Sequence, residues 1–342
     1  MKDYTNFAVE KAFELLQIDS PTGYTEKAAL WLCDRLTEIG FVAKRTNKGG
    51  VMAELGGEGN ALMLSAHIDT LGAMVAEIKS NGRLRLTNIG GMNANNAEAE
   101  NARVYTRNGK VYQGTFQLCN ASVHVNADYN KKERNYTTCE FVLDEDVKTK
   151  SDTEKLGIAV GDIVAFEPRT RISGDGYIKS RFLDDKLSAG ILLGFAKYVA
   201  DNNIALNRKV YLHFTVYEEV GHGCSASTPS DVTEILAVDM GCVGDGLTCT
   251  EKDVSICVKD SHGPYNYDMV SRLVAAAKKQ NANYALDVYP LYGSDADAAL
   301  SGGADIRHAL IGAGVYASHG YERSHVQGVE NTLKVLVGFV LQ

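Results

Sequence analysis

The sequence contains no uninterrupted run of about 18 apolar residues, so we expect no membrane-spanning helix. Its first residues, 1–4, lead into an amphipathic stretch and not into the apolar core of a secretion signal. It also lacks a cluster of Lys and Arg, and its net charge is -8. Because a phosphate-binding surface requires clustered basic side chains, this composition argues against a nucleic-acid-binding protein.

Cysteine pairs of the C-x-x-C type are absent as well. The seven cysteines are odd in number and lie scattered along the chain. This pattern is typical of reduced thiols in the cytoplasm, and we expect a cytoplasmic protein. Cys224 and Cys242 lie near carboxylates in the sequence, where a thiolate ligand is conceivable, but simple packing is the better interpretation of both.

Strand and helix patterns alternate at both ends of the chain, whose 342 residues are enough for two domains. Residues 26–39 have helical periodicity, and the apolar runs 61–65 and 209–217 are typical of buried strands. Such alternation predicts an α/β fold with a mixed, largely parallel sheet sandwiched by helices. Further strands are predicted over 235–238, 254–258, 284–288 and 309–315, and further helices over 187–200, 267–280 and 329–341.

The pattern changes between residues 71 and 165. Short strand-like segments are separated there by turns such as Asn81-Gly82 and Asn108-Gly109, and Asn-Gly is a strong hairpin signal. No helix of three turns is indicated in this region. We therefore predict a small, barrel-like all-β domain, 71–165, inserted into a discontinuous α/β domain made of residues 1–70 and 166–342.

Ligand-type side chains follow three separate predicted strands. His67 comes after the strand at 61–65, Glu218 and Glu219 come after 209–217, and Asp239 comes after 235–238. In open α/β sheets, sites form outside the carboxyl ends of the strands. Any one of these residues alone is more often a cap or a surface group, but their convergence predicts a shared site.

A metal centre is the chemistry that this set of residues favours. Charge beside a core strand is costly unless it is compensated, and histidine with carboxylates suits Zn, Co or Mn. Asp69 could hold the second ring nitrogen of His67. Of Glu218 and Glu219, one could bind metal while the other accepts a proton from water. Asp184 or Asp185 could bridge two cations, although both could merely cap the helix that follows.

The remaining candidates lie near the C-terminal end of the sequence. His325, in Arg323-Ser324-His325, gains weight as a second imidazole for a site that otherwise has carboxylates. His319, in Ser318-His319-Gly320, is a rival on chemistry alone. Asp295 could shape a substrate pocket, or else Asp295 or Ser294 could cap a short helix, and the sequence favours neither interpretation.

The chain resembles the M42 family of metallo-aminopeptidases, which includes glutamyl and tetrahedral aminopeptidases. The resemblance spans nearly the whole chain and rests on five segments in order, namely Ala66-His67-Ile68-Asp69, Leu183-Asp184-Asp185-Lys186, Glu218-Glu219-Val220-Gly221, Ala237-Val238-Asp239 and Arg323-Ser324-His325. Lys186, Thr70-Leu71-Gly72 and Gly221-His222-Gly223-Cys224 depart from the commonest family pattern, which bears on substrate preference.

The resemblance implies a role for each matched residue. His67 and Asp239 would bind one divalent metal ion, Glu219 and His325 would bind a second, and Asp184 would bridge the two. The resemblance thereby favours His325 over His319. Glu218 would be the general base on a water between the metals, and Asp69 would lie behind His67.

The implied reaction is removal of N-terminal residues from peptides. The resemblance also implies a homo-oligomer that dimerises through the inserted domain, and a twelve-subunit shell in some members. Two alternatives remain at this point. One is a related two-metal amidohydrolase, such as a carboxypeptidase, dipeptidase or N-acyl-amino-acid deacylase. The other is a non-catalytic or glycan-related protein with a relict site, which the complete set of expected residues disfavours.

Overall fold

A computed structural model describes residues 1–341 and divides the chain into two compact units. The larger unit combines Met1–Asp69 with the chain from Arg169 onwards, and the smaller unit is Thr70–Pro168. The structural boundaries therefore lie at 69/70 and 168/169, beside the predicted boundaries at 70/71 and 165/166. No helix within residues 1–341 combines the length and apolarity needed to cross a membrane.

The larger unit begins with two helices and three strands. They are α1 (Lys2–Leu16), α2 (Glu26–Ile39), β1 (Ala43–Arg45), β2 (Val51–Gly56) and β3 (Ala61–His67). Every residue of β3 is buried, as expected for a strand covered on both faces of its sheet. The last residue of this buried strand is His67, so the strand itself carries an imidazole to the edge of the sheet.

The smaller unit is a closed antiparallel barrel. Its elements are β4 (Gly72–Ile78), β5 (Leu84–Ile89), α3 (Ala94–Ala97), β6 (Asn101–Tyr105), β7 (Val111–Leu118), β8 (Cys139–Leu143), α4 (Lys150–Leu156) and β9 (Ile163–Phe166). Six strands close the barrel in the order β4-β5-β8-β7-β6-β9. Phe116, Phe141 and Phe166 are fully buried within this unit. The predicted small all-β domain is confirmed.

The larger unit resumes with β10 (Arg171–Ser173), and its remaining elements complete the sheet. They are β11 (Tyr177–Ser180), α5 (Leu183–Asp201), β12 (Val210–Thr215), a 3-10 turn (Glu218–Val220), β13 (Val232–Val238), β14 (Gly241–Val243), β15 (Val254–Lys259), α6 (Tyr267–Lys279), β16 (Tyr284–Val288), α7 (Asp295–Ser301), β17 (Arg307–Tyr316), β18 (Glu322–His325) and α8 (Val326–Val340).

The twelve-stranded sheet of this unit is mixed, with its parallel part at the centre. The strand order is β1-β2-β12-β3-β13-β17-β18-β11-β10, and β12, β3, β13 and β17 run parallel to one another. The carboxyl ends of these four strands therefore meet at one edge. Strand β18 pairs antiparallel with β17 and runs back from that edge. The predicted α/β class is confirmed.

The helices pack closely, both against one another and against the sheet. Helix α5 approaches α1 so tightly that a Cβ on Gly190 would lie 2.4 Å from the main-chain oxygen of Ala8. On α7, Ala296 and Ala299 belong to one buried cluster with Met63, Ala237 and Leu310 from three central strands. These contacts fix the strands whose ends carry the candidate site.

Candidate metal centre

His67 is oriented by two contacts that leave one ring nitrogen facing the sheet edge. It is 1% exposed, and its Nδ1 lies 2.9 Å from the main-chain oxygen of Asp69. Its own main-chain N–H donates to Oδ2 of Asp185 at 3.2 Å. Nε2 is therefore directed towards Oδ1 of Asp184 at 3.1 Å and Oε2 of Glu218 at 3.6 Å. An imidazole held in this way is prepared to bind a ligand through Nε2.

Asp69 lies next to His67, but its carboxylate accepts hydrogen bonds from other residues. The Asp69 carboxylate accepts the Thr22 hydroxyl at 2.7 Å, and its nearer oxygen is 3.7 Å from Nδ1 of His67. It also accepts the main-chain N–H groups of Glu218 at 3.1 Å and Glu219 at 3.4 Å. Asp69 thus orients His67 through its main-chain carbonyl and holds the glutamate pair through its carboxylate.

Three consecutive charged residues, Asp184, Asp185 and Lys186, are buried at the start of α5, and each has a separate role. Asp184 faces the imidazoles, whereas Asp185 holds the end of β3 through the main chain of His67. Lys186 donates from Nζ to the main-chain oxygens of Leu15 at 3.1 Å and Ile18 at 2.6 Å, which fixes the segment after α1. Burial lowers the pKa of Lys186 to about 7.

The second imidazole at this edge is His319, which follows strand β17. Its Nε2 lies 3.5 Å from Oδ2 of Asp184 and 3.6 Å from Oε2 of Glu219. Burial alone would lower the pKa of His319, but the hydrogen bond to Asp184 and the charge of that carboxylate outweigh it and raise the pKa to about 9. Asp184 therefore presents one oxygen to His67 and the other to His319.

The structure does not bring His325 to the site, which corrects the choice between the two histidines. Its Nε2 donates to the main-chain oxygen of Asp175 at 2.6 Å, and its Nδ1 accepts the N–H of Gln327 at 3.0 Å as the cap of α8. The reason is strand direction. His325 ends an antiparallel strand that leads away from the parallel edge, whereas His319 follows a parallel strand that ends there.

Glu322 supports the site, a role that no motif or spacing in the sequence indicates. Its buried carboxylate accepts the main-chain N–H groups of Asp184 at 3.1 Å and His319 at 3.2 Å. One side chain thus ties the start of α5 to the loop after β17. The two elements are far apart in sequence, so only the folded chain reveals the connection.

Two groups of ligand-type atoms share Asp184. Oxygen and nitrogen atoms of His67, Asp184 and Asp239 lie within 4.8 Å of one another, and so do those of Asp184, Glu219 and His319. Asp239 follows β13 directly and is buried. The structure therefore brings His67, Asp184, Glu219 and Asp239 together as the sequence predicted, with His319 in the position expected for His325.

At this edge of the sheet, the buried carboxylates carry more negative charge than the nearby imidazoles can neutralise. Burial raises the pKa of Glu218 and of Glu219 well above the usual range. Burial and the neighbouring Asp184 raise the pKa of Asp239 to about 7. Burial opposes charge on His67, yet the surrounding carboxylates raise its pKa well above the usual range. The carboxylates outnumber the imidazoles that could neutralise them.

A cavity of about 760 Å³ opens beside these groups. The residues that line it include the candidate site residues Asp184, Glu218, Glu219, Asp239 and His319, together with Ser261, His262, Tyr292, Ser294 and Asp297. No Lys or Arg is among the residues that line it within the described chain. The cavity can therefore admit a small molecule or a chain end next to the candidate metal centre.

Asp295 lies behind the cavity wall rather than on it. Its carboxylate accepts the Thr215 hydroxyl at 2.5 Å, and burial raises its pKa to about 6. A Cβ on Gly223 would come within 1.6 Å of Oδ1 of Asp295, so only glycine fits between this carboxylate and the cavity. Ser294 and Asp297 form the capping box of α7 instead. Asp295 thus influences the pocket through the loop in front of it.

A third group of acidic residues and histidine has a structural explanation. Ligand-type atoms of Asp260, His262 and Asp297 lie within 4.8 Å of one another. The hydroxyl of Tyr265 donates to Asp260 at 2.7 Å, and the N–H of Ser294 donates to Asp297 at 2.9 Å. We assign no cation to this group, because hydrogen bonds within the protein already occupy its carboxylates.

Comparison with known proteins gives a family and a fold. Residues 49–335 match the family model described as M42 glutamyl aminopeptidase. The chain is 45% identical over 329 residues to the Bacillus subtilis (strain 168) protein named "Putative aminopeptidase YhfE". The aligned region covers 96% of this chain and 95% of that protein.

Solved structures of low sequence identity share the fold along the whole chain. A TET aminopeptidase from a marine sediment Thaumarchaeota archaeon has a TM-score of 0.88 at 18% identity, covering 98% of this chain and 97% of that one. The TET1 peptidase of Pyrococcus horikoshii, which can assemble into a tetrahedron or a large octahedral shell, has a TM-score of 0.86 at 21% identity, covering 98% and 99%.

Proposed function

The chain belongs to the M42 glutamyl aminopeptidase family, and from that premise we propose that it is a dinuclear metal aminopeptidase that removes N-terminal residues from peptides. One observation carries the proposal. Asp184 presents its two carboxylate oxygens to two different imidazoles, His67 and His319, with Asp239 and Glu219 completing a separate group on each side. This is the arrangement expected of a carboxylate that bridges two cations.

The residues present fit a pair of divalent metal ions. Oε1 of Glu219 is buried and has no hydrogen-bond partner in the part of the chain that the structure describes, which is costly unless a cation satisfies it. His67, Asp184 and Asp239 would hold one ion, and Asp184, Glu219 and His319 would hold the other. Nitrogen and oxygen donors of this kind suit Zn, Co or Mn. The ions would also neutralise carboxylates that the two imidazoles alone leave uncompensated.

Glu218 is the proposed general base. When bound, the divalent ions supply Lewis-acid polarisation of the peptide carbonyl and lower the pKa of a water molecule. The Glu218 carboxylate lines the cavity, accepts a proton from the attacking water and returns it to the leaving amine. Its main-chain N–H is held by Asp69 at 3.1 Å, so the base keeps its position while the proton moves.

The direct test of the proposed function asks whether cleavage requires both a bound divalent metal and a free N-terminus on the substrate. We expect chelation to abolish cleavage of aminoacyl substrates, and added Zn, Co or Mn to restore it, because the buried carboxylates need cations to act. The same peptides with acetylated N-termini should resist cleavage. Activity is measured as released amino acid, and bound metal is measured by elemental analysis of the same samples.

Two other outcomes would point to different functions. Cleavage of acetylated substrates alone would favour an N-acyl-amino-acid deacylase or a related two-metal amidohydrolase. A protein that binds metal but cleaves none of these substrates would favour a relict site. The complete set of ligand-type residues beside an open cavity supports catalysis over a relict.

Peptides that begin with Asp or Glu should be cleaved at least about tenfold less efficiently than those that begin with Lys or Ala, because like charges in a partly buried site repel. Asp297 lines the cavity, and burial together with Asp260 raises its pKa only to about 6, so it is charged above neutral pH. Among residues 1–341, no Lys or Arg lines the cavity to balance the charge of Asp297.

In the Asp297→Asn variant, kcat/KM for peptides that begin with Asp or Glu should come closer to kcat/KM for those that begin with Lys or Ala. Asp245→Asn, at an exposed position, should leave the ratio of the two values unchanged. Equal kcat/KM values for acidic and basic substrates in the wild-type protein would contradict the predicted preference.

We further propose that the chain forms a homo-oligomer through the barrel unit. Support comes from the fold shared with a peptidase that assembles into shells. Exposed valines on the barrel, namely Val123, Val125 and Val160, offer apolar surface for such contacts. Light scattering at several protein concentrations measures the assembly.

A further inference from the structure

Lys48 makes an unusual set of contacts with a loop far away in sequence. It lies in the turn between β1 and β2, and its Nζ is within hydrogen-bond distance of three main-chain oxygens. Those of His222 and Ser225 are at 2.7 Å, and that of Gly223 completes the set. An ammonium group has three N–H donors, so this one loop occupies all of them.

The loop that Lys48 binds continues directly from the proposed base. The N–H of Gly221 donates to the main-chain oxygen of Glu218 at 2.7 Å, and the N–H of His222 donates to that of Tyr217 at 2.8 Å. Gly221 and Gly223 both line the cavity. A shift of this loop would therefore move a wall of the cavity and the turn that carries Glu218.

The opposite side of the loop is fixed by tight packing. Gly223 lies against the carboxylate of Asp295, and the hydroxyl of Ser225 donates to the main-chain oxygen of Ala298 in α7 at 2.9 Å. The side chain of Cys224 between them is fully buried. The 222–225 loop is therefore held by Lys48 on one side and by α7 on the other. Without Lys48, three main-chain carbonyl groups of the loop would lose their shared donor.

We propose that Lys48 is a positioning residue that holds the 222–225 loop, and through it the Glu218 turn, in the arrangement that catalysis requires. The inference rests on the proposed aminopeptidase function and adds a residue outside the candidate metal centre. Its role follows from the convergence of three carbonyl groups on one ammonium. Charge alone does not explain such convergence, since a surface cation needs no set of directed acceptors.

Lys48→Met and Lys48→Ala test the proposal, because both remove the donors and neither removes a candidate metal ligand. We expect kcat to fall about 10- to 100-fold, the range for displacement of a catalytic group by roughly 1 Å, with metal content unchanged. Lys44→Met is the matched control, since Lys44 is exposed in the same hairpin. It should retain wild-type kcat and KM.

Chemical rescue separates a positioning role from general loss of structure. Ethylammonium should restore part of the activity of Lys48→Ala by supplying N–H donors to the three carbonyl groups. Tetramethylammonium has the same charge without N–H groups and should not. Amide hydrogen exchange over residues 218–226 should be faster in Lys48→Met than in the wild-type protein and unchanged in Lys44→Met.

The outcomes distinguish this inference from the proposed function. An active wild-type protein with kcat unchanged in Lys48→Met, or with unchanged exchange over 218–226, would overturn the role of Lys48 alone. Equal rescue by both ammonium salts would also overturn it, because donors would then be irrelevant. A metal-loaded wild-type protein without peptidase activity would overturn the proposed function first, and the catalytic role of Lys48 with it.

Discussion

Replacement of Glu218 by glutamine is expected to lower kcat by about 10²- to 10⁴-fold, the usual contribution of a positioned general base. Glutamine has the same shape but cannot accept the proton. The main-chain N–H that Asp69 holds is unchanged by the substitution, so the turn should keep its place. Glu218 is absent from both groups of candidate ligands, so the content of bound metal should stay that of the wild-type protein.

Steady-state kinetics on a free aminoacyl substrate, with elemental analysis of the same preparation, measures this result. Glu58→Gln provides a control in which an exposed carboxylate is lost without any change near the cavity. If Glu218→Gln keeps the wild-type kcat, Glu218 is not the general base. Loss of metal together with activity would instead make Glu218 a ligand.

The His319→Ala variant should lose more than about 100-fold in activity, beyond the 10- to 100-fold typical for an outer partner of a metal ligand. Its Nε2 faces both Asp184 and Glu219, so its loss should empty one side of the paired site. His325→Ala should keep kcat within a few fold of wild type. It should instead lower the free energy of unfolding by about 1 kcal/mol, because His325 caps α8.

Measuring both variants for kcat, bound metal and urea unfolding compares the two histidines directly. The prediction fails if His325→Ala loses metal and activity while His319→Ala does not. That result would return His325 to the site and would require the loop after β17 to differ from the structure described above.

Much of the fold could be predicted from the sequence, because period and turn chemistry act locally. Helix α2 begins and ends at the predicted residues, and the hairpins of the barrel follow their Asn-Gly turns. Helix α4 is not predicted, because a short polar helix of two turns in a β-rich region has weak periodicity. Its Thr149 and Asp152 capping box was the available signal.

The site was predictable where a candidate residue follows a parallel strand, as His67 and Asp239 do. The family resemblance favours His325 because of its Arg-Ser-His segment, whereas the predicted strand at 309–315 leads towards His319. Strand direction would have decided between them. Roles that depend on distant pairing gave no sequence signal. The Asp69 carboxylate holds a turn 149 residues away, and Lys48 holds a loop 174 residues away.

The position of β3 at the centre of the sheet affects how the protein is made on the ribosome. Its two neighbours, β12 and β13, begin at Val210 and Val232, so both are synthesised after the whole barrel unit, which ends at Pro168. Domains generally fold as units during synthesis, so the barrel can close while β3 still has two open edges. An unpaired apolar strand promotes aggregation, so we expect chains that end between residues 168 and 210 to aggregate more readily than the full chain.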